Sequence, residues 1–355
     1  MKILLMNIAN NVTNFKTTPS GETIYLKKTL EMMGHDATIV SNKNGEFTTS
    51  FEDIEEINKF DRVLVIPAAL NFFGGVESPT IINNYKMLAK WKGNPILVFQ
   101  TDARLPFRQL WPAIQNRGWG YEKEDVWINS KIRIVAQSRN IEEVMDQYKA
   151  NEFSGIYAGH FPIDQYIAIM EMKKVFKKAA KECDLIYGGS FRAGNRKEKM
   201  IEYFCGEVSK QFKVKTFGTI KQSQLAKFTN EKLPEQDKKI PMTEVINKIS
   251  TSEATIIIGE KFYNDAMYTL RVWECLLSDA VVLIDEAFDP EHKLLPLYKF
   301  SYVNSKKDVI TALNIIKDPA NLRQIEDLKK YQKERVLHFV NEEKYKNDLQ
   351  QILNK

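Results

Sequence analysis

Short apolar segments alternate with amphipathic segments of helical length through the first half of the chain. Residues 2–7 are apolar and lead into a polar stretch, which is typical of a buried parallel strand. Within residues 20–33, Ile24 and Leu30 belong to an apolar set at helical spacing, and Gly34 provides a stop. Alternating strands and helices indicate βαβ units and a parallel sheet that is covered on both faces. Further apolar runs predict strands at 37–40, 61–67, 95–99 and 132–136.

The same pattern restarts in the second half. A helix is predicted at about 266–277, residues 219–239 are polar and predict a long loop, and residues 321–355 return to helical spacing. We therefore predict an α/β fold with two Rossmann-like, doubly wound parallel-sheet domains, at 1–167 and 168–335, which face each other across a cleft. The apolar runs that predict the second sheet are 184–187, 214–218, 254–259 and 280–285.

Composition excludes several classes of protein. The 355 residues are 43% hydrophobic and 27% charged, which fits two globular domains and excludes wholesale disorder. No apolar run approaches the roughly 18–20 residues that cross a bilayer, and the apolar start is too short for a signal peptide. The 3 cysteines and 4 histidines lack the spacing of a disulfide framework or a zinc motif. We expect a soluble, cytoplasmic protein with no membrane partner.

The positive charge is concentrated in one segment. The formal charge of the chain is +5, but residues 173–199 contain nine Lys or Arg and three Asp or Glu. That segment is therefore +6 and the remainder of the chain is −1. It is either a solvated helix face with a linker or a site for phosphates.

A motif rich in glycine and arginine lies inside this basic segment. The stretch 187–196 leaves a predicted strand, passes Gly188 and Gly189, and enters a predicted helix with Arg192 and Arg196. Glycines let a ligand approach backbone N–H groups, and guanidinium groups bind phosphate through two parallel hydrogen bonds. The spacing matches neither a dinucleotide fingerprint nor a Walker loop. The motif indicates a phosphate site, and the alternative is a turn with solvent-exposed arginines.

A second pair of charges lies on the helix predicted at about 266–277. Arg271 and Glu274 are three residues apart and therefore share a helix face. If this face looks into the cleft, Arg271 can bind a diphosphate and Glu274 can accept hydrogen bonds from a ribose diol. Otherwise the two residues form an ion pair on the surface.

The first half of the chain carries three further candidates. Asp102 follows a predicted strand, where it is placed like a general base, although an aspartate there also caps helices or loops. Phe72 and Phe73 precede two glycines and offer a stacking face for a base, although such phenylalanines are more often core residues. Glu22 is either a helix-capping acid or a carboxylate that holds sugar hydroxyls.

Taken together, these segments resemble the T-even phage DNA β-glucosyltransferase family, which glucosylates 5-hydroxymethylcytosine in duplex DNA. The resemblance covers most of the chain, in order and at nearly constant spacing. It implies a GT-B type fold in which a C-terminal helix, at about 336–355, crosses back to the first domain. The matching segments are residues 1–3, 10–12, 14–17, 22–26, 71–75, 101–102, 104–107, 161–163, 186–192, 240–242, 263–265, 270–274 and 278–281.

The resemblance also implies a role for each candidate residue. Asp102 is implied as the catalytic base of a single displacement with inversion, acting on a base that is flipped out of double-stranded DNA. A divalent cation, Mg²⁺ or Mn²⁺, is implied as an aid, but no metal ligands are assigned. The implied donor-binding residues, which hold a UDP-sugar, are Glu22, Gly189, Arg192, Arg196, Ile240, Tyr263, Arg271 and Glu274. The residues implied near the DNA and the target base are Phe73, Arg117 and Ser190. The expected state is a monomer in the cytoplasm of the infected host cell.

Departures from the family leave two alternatives for the sugar that the donor carries. Ala9 and Gly21 stand where the family example has glycine and serine, Ala68 and Ala69 replace two serines, and Glu260 replaces an aspartate. UDP-glucose is the first expectation for the donor, and a UDP-pentose such as UDP-arabinose is the alternative. The other open functions are a glycosyltransferase for a small molecule or glycan and a DNA-binding protein without turnover.

Overall fold

The chain divides into two compact units in a computed structural model of its 355 residues. The first unit comprises residues 1–167, 265–267 and 342–355, and the second comprises residues 168–264 and 268–341. The structure describes residues 1–9, 21–41, 49–50, 56–68, 90–99, 132–137, 156–159, 165–189, 195–218, 222–238, 240–241, 244–259, 268–339 and 342–354.

The first unit contains a seven-stranded sheet in which every pairing is parallel. The strands are β1 (Lys2–Ala9), β2 (Asp36–Ser41), β3 (Thr49–Ser50), β4 (Arg62–Ala68), β5 (Ile96–Phe99), β6 (Ile132–Gln137) and β7 (Ile156–Gly159). Their order in space is β3-β2-β1-β4-β5-β6-β7. Ile3, Leu4 and Leu5 are fully buried at consecutive positions of β1, as expected when both faces of a parallel sheet are covered. Helix α1 (Gly21–Met32) packs against β2, and a 3₁₀ turn covers Ile57–Lys59.

The second unit contains a six-stranded sheet that is also parallel. The strands are β8 (Cys183–Gly189), β9 (Val214–Gly218), β10 (Glu235–Gln236), β11 (Ser252–Ile257), β12 (Val281–Asp285) and β13 (Tyr302–Val303), in the spatial order β10-β9-β8-β11-β12-β13. All residues of β12 are buried, so this strand lies in the core of the unit.

Helices surround the second sheet. Helix α8 begins where Ser305 accepts a hydrogen bond from the Asp308 backbone N–H, while the Asp308 carboxylate accepts one from the Ser305 hydroxyl. Short 3₁₀ turns cover Lys299–Ser301 and Pro319–Asn321. The helices are α2 (Gln165–Val175), which begins before the unit boundary, then α3 (Asn195–Phe204), α4 (Glu207–Gln211), α5 (Gln222–Leu225), α6 (Val245–Ser250), α7 (Leu270–Leu277), α8 (Lys306–Lys317) and α9 (Leu322–Phe339).

The last helix, α10 (Glu342–Asn354), belongs to the first unit. Its Leu353 carbonyl accepts a hydrogen bond from Arg62 Nε of β4 at 2.8 Å, and Gln350 Oε1 lies 3.2 Å from His35 Nε2. Leu349 and Ile352 are buried on the same helix. The prediction that a C-terminal helix crosses back to the first domain is confirmed.

The strands predicted from apolar runs are present, with ends that differ by at most two residues. The prediction of a long loop over 219–239 is wrong, because this stretch contains α5 and the edge strand β10, which pairs with β9. Its polar composition carried no strand signal, since β10 is exposed and short. In the described part of the chain, no helix is long and apolar enough to cross a membrane.

Candidate functional site

The carboxyl edge of the second sheet brings several predicted site residues together. Strand β8 ends there at Gly188 and Gly189, and its neighbour β9 ends at Gly218. In open α/β sheets, ligands bind outside the carboxyl ends of the strands. This edge is therefore where the side chains of the second unit can act on a ligand.

Glycines let the two strand ends approach each other closely. A Cβ atom on Gly188 would overlap the Phe217 ring, and one on Gly218 would overlap the Gly189 carbonyl oxygen. Gly218 also has φ +105°, a conformation that side chains disfavour. Residues with side chains at these positions would push the two strand ends apart and occupy the space at the carboxyl edge of the sheet.

Arg271 and Glu274 face this region from helix α7. Arg271 Nη1 lies 3.1 Å from Glu274 Oε2, and the guanidinium carbon lies 5.7 Å from the centroid of the Phe217 ring. The Glu274 side chain is only 5% exposed and that of Arg271 is 31% exposed. The predicted pairing is present, but its carboxylate is buried, so it is not a solvent-exposed surface pair. Phe217 was not singled out in the sequence, because an aromatic at a strand end carries no specific signal.

Arg271 keeps hydrogen-bonding capacity at this edge. Within the residues that the structure describes, its buried Nη1 atom has the Glu274 carboxylate as an ion-pair partner at 3.1 Å but makes no hydrogen bond. A guanidinium carries five N–H donors, and a buried donor without a partner is costly. An anion that reached this position would satisfy it.

A second guanidinium contributes to the positive field at the same edge. Arg196 lies in the first turn of α3, the helix that follows β8, and it is half-buried. Burial raises the pKa of the Tyr187 phenol, whereas the charges of Arg196 and Arg271 act in the opposite direction. Both guanidiniums therefore lie close enough to Tyr187 to act on it electrostatically. Positive charge and a helix N-terminus both favour a bound anion.

The basic segment 173–199 does not form one patch. Strand β8, with 7 residues, separates its two ends by roughly 20 Å. Residues 173–181 precede β8 at the amino edge of the sheet, where Lys181 donates hydrogen bonds to three backbone carbonyls. Only the part after β8 belongs to the carboxyl edge. Lys181 therefore has a structural role at the amino edge, and phosphate binding by the rest of the segment stays a prediction.

The remaining predicted site residues divide into two groups. Glu22 lies in the first turn of α1 in the first unit, and Ile240 is half-buried between β10 and α6. The other six lie outside the described residues: Phe73, Asp102, Arg117, Ser190, Arg192 and Tyr263.

Comparison with known proteins identifies the family of this chain. A sequence model of the bacteriophage T4 beta-glucosyltransferase family matches residues 1–167. The DNA beta-glucosyltransferase of Enterobacteria phage T4 is 40% identical over 328 residues, which is 91% of this chain and 92% of that protein. The chain belongs to the T4 beta-glucosyltransferase family.

Solved structures of the T4 family member agree with this assignment. The T4 phage enzyme in complex with UDP and Mn²⁺ has a TM-score of 0.79 at 36% identity, with complete coverage of both chains. Its complex with UDP-glucose has a TM-score of 0.79 at 35% identity, also over both full chains. An alpha-glucosyltransferase in complex with UDP and a 13-mer DNA has a TM-score of 0.65 at 13% identity, which shows a shared fold alone. The predicted fold class, two parallel-sheet α/β domains of GT-B type, is confirmed.

The described residues of the second unit do not form a cluster of metal ligands. No group of three or more His, Cys, Asp or Glu side chains in the described residues could hold a metal ion. Arg196 and Arg271 supply positive charge at the carboxyl edge, and positive charge there suits the diphosphate itself. We therefore assign no metal ligands.

Proposed function

We propose that this chain is an inverting glycosyltransferase. It moves a sugar, glucose in the first instance, from a UDP-sugar to the hydroxymethyl oxygen of 5-hydroxymethylcytosine in double-stranded DNA. The observation that carries the proposal is the arrangement of Arg271, Glu274 and Phe217 beside glycine strand ends, in a chain 40% identical to a DNA beta-glucosyltransferase.

The donor binds at the carboxyl edge of the second sheet. Arg271, Arg196 and Arg192 hold the diphosphate, and the free donor capacity of Arg271 Nη1 is directed to a phosphate oxygen. The Glu274 carboxylate accepts hydrogen bonds from the ribose hydroxyls. Gly189, Ile240 and Tyr263 line the nucleotide pocket, and Glu22 contacts the sugar. These guanidiniums stabilise the negative charge that develops on the leaving diphosphate.

The reaction is a single displacement. The Asp102 carboxylate takes the proton of the hydroxymethyl group while its oxygen forms a bond to the anomeric carbon. The bond from that carbon to the diphosphate oxygen breaks, and UDP leaves with the electron pair. Because the acceptor oxygen attacks the anomeric carbon directly, an α-linked donor yields a β-linked product. A divalent cation, when bound, would add charge beside the diphosphate.

The acceptor requires base flipping. The hydroxymethyl carbon lies inside the duplex, so the base must leave the stack at a cost of a few kcal/mol. Ser190 lies in the loop that enters the duplex, Phe73 packs near the flipped base, and Arg117 contacts the DNA. The protein acts as a monomer in the cytoplasm of the infected host cell.

A mass-spectrometric assay of nucleosides tests the reaction. Duplexes that contain cytosine or 5-hydroxymethylcytosine are incubated with UDP-glucose or UDP-arabinose and then digested. We expect a hexose adduct only on hydroxymethylcytosine and only with UDP-glucose. If a pentose adduct formed in preference to a hexose adduct, the donor would be UDP-arabinose. The departures at Ala9, Gly21, Ala68 and Ala69 are the reason for testing this alternative. Transfer to small molecules or glycans with none to either duplex would contradict the proposal.

Substitution of Asp102 separates chemistry from donor binding. Asp102→Ala and the isosteric Asp102→Asn should both abolish transfer, because neither side chain can take the proton. UDP affinity, measured by calorimetry, should stay near that of the wild type. Turnover near the wild-type rate in either variant would remove Asp102 from the mechanism.

Substitution of Arg271 tests the donor site. Arg271→Lys keeps a positive charge beside the buried Glu274 and removes the planar fork of donors. We expect UDP binding to weaken about tenfold, the equivalent of one charged hydrogen bond. The exposed Lys178, changed to Ala, is the matched control and should bind UDP normally. Equal UDP affinity in both variants would place the donor elsewhere.

A further inference from the structure

A buried polar network ties helix α3 to the end of strand β12. The Tyr203 hydroxyl donates to Asp285 Oδ1 at 2.8 Å, and Lys199 Nζ donates to the Tyr203 hydroxyl at 2.9 Å. Lys199 Nζ also lies 3.5 Å from Asp285 Oδ1. Tyr203 is fully buried and the Asp285 side chain is almost fully buried. Asp285 is the last residue of β12, so the network lies at the carboxyl edge of the second sheet.

The helix geometry connects this network with the donor site. Arg196, Lys199 and Tyr203 occupy positions i, i+3 and i+7 of α3, which share one helix face. Lys199 lies about 4.5 Å and Tyr203 about 10 Å along the axis from Arg196. Anchoring Tyr203 and Lys199 therefore sets both the rotation of α3 and its position along its axis. These two quantities set where the Arg196 backbone and Cβ lie, and therefore which region its guanidinium can reach.

This network buries a carboxylate between a helix and a strand, which costs free energy. Burial raises the pKa of the Asp285 carboxyl, while Tyr203, Lys199 and the Ala287 backbone N–H act in the opposite direction. A phenylalanine would bury the same ring but would leave the buried Asp285 carboxylate with one hydrogen-bond donor fewer. Satisfied buried networks of this kind impose one arrangement, which apolar packing alone does not.

We propose that the Tyr203 hydroxyl is a positioning group for donor binding: through Asp285 and Lys199 it holds α3 so that Arg196 faces the diphosphate. The proposal rests on the proposed function, because it assigns Arg196 to the diphosphate. Tyr203 itself does not touch the donor.

Tyr203→Phe removes the hydroxyl and keeps the ring. We expect UDP affinity to fall about fivefold, the equivalent of about 1 kcal/mol for one hydrogen bond. The KM for the UDP-sugar should rise to a similar extent, whereas kcat should change less than twofold. A loss confined to kcat, or unchanged UDP affinity in a folded variant, would overturn the proposal.

Tyr302→Phe is the matched control. The Tyr302 hydroxyl donates to the buried Asp289 Oδ2 at 2.9 Å in the same unit, but it belongs to β13 rather than to α3. Both variants should lower the midpoint of thermal unfolding to a similar extent. Only Tyr203→Phe should weaken UDP binding, and equal weakening in both variants would indicate a general loss of stability and overturn the proposal.

A double-mutant cycle tests whether Tyr203 acts through Arg196. In an Arg196→Ala background, Tyr203→Phe should have no further effect on UDP affinity. An undiminished effect there would show that Tyr203 acts by another route. If Tyr203→Phe does not fold, the partly exposed Lys199, changed to Met, replaces it in the same cycle.

The cycle also separates this inference from the function on which it rests. If Arg196→Ala binds UDP as the wild type does, the donor role of Arg196 is wrong and the inference is wrong with it. If Arg196→Ala weakens binding and Tyr203→Phe does not, only the inference is wrong.

Discussion

Lys181 provides the clearest test of how the basic segment is used. Its Nζ atom donates hydrogen bonds to the carbonyls of Ser250 at 3.1 Å, Ser252 at 2.8 Å and Asp279 at 2.8 Å. The same atom lies 3.4 Å from Asp279 Oδ2. Ser250 and Ser252 lie where α6 ends and β11 begins, and Asp279 lies just before β12, so one ammonium group links two segments at the amino edge of the sheet. We predict that Lys181→Met destabilises the protein without affecting donor binding.

The magnitude follows from the three hydrogen bonds. Each contributes about 1 kcal/mol net, so their loss should cost about 3 kcal/mol. Methionine keeps most of the apolar stem, which limits the loss to the polar end of the side chain. A loss of this size is a large fraction of the ~5–15 kcal/mol that stabilises a typical domain.

Urea unfolding followed by circular dichroism measures this loss. Lys178→Met is the matched control, because Lys178 is exposed in the same basic segment and should change stability by less than about 0.5 kcal/mol. Calorimetric titration with UDP should give wild-type affinity for both variants. The reasoning would be refuted if Lys181→Met unfolded like the control, or if it weakened UDP binding while the control did not.

Two further predictions concern the carboxyl edge and the buried phenols. Gly188→Ala places a methyl group against the Phe217 ring, so we expect a destabilisation of about 1–3 kcal/mol and weaker UDP binding; unchanged urea unfolding and UDP titration would mean that the ring moves freely. Burial raises the pKa of three tyrosines above the ordinary tyrosine pKa of about 10. The protonated phenols therefore stabilise the folded protein fully below about pH 10, and this stability is lost as the pH rises through the pKa values of the folded state. In absorbance titrations at alkaline pH, Tyr203→Phe should therefore leave the native signal unchanged and reduce that of the urea-unfolded protein, and a reduced native signal would contradict the assignment. The three residues are Tyr187, Tyr203 and Tyr302.

Strands of the parallel sheets were predictable because their signal is local. A strand that is buried on both faces must be apolar at consecutive positions, which is how residues 61–67 and 214–218 were recognised before they proved to overlap β4 and β9. The strands β10 and β13 have 2 residues each and carry no such signal. Their existence depends on pairing with β9 and β12, so only the assembled sheet reveals them.

The candidate site was also predictable only in part from the sequence. The spacing of Arg271 and Glu274 predicted that they share a helix face, because three residues are close to one helical turn. The burial of Glu274 and the approach of Phe217 to Arg271 come from β9 and α7 meeting in space. The role of Asp102 is a prediction of another kind, since it rests on the resemblance to a family and stays a prediction.

The sequence by itself determined the α/β class and the order of most strands along the chain, and it predicted which residues bind phosphate. Only the tertiary structure decided how those residues are used. Lys181 and Arg196 belong to one basic segment, yet they lie at opposite edges of the second sheet because a strand runs between them. Tyr203 and Asp285 are 82 residues apart and meet through packing of α3 near the end of β12. Helical and strand periodicity depends on neighbouring residues, whereas partners distant in sequence are chosen by the packing of the whole unit.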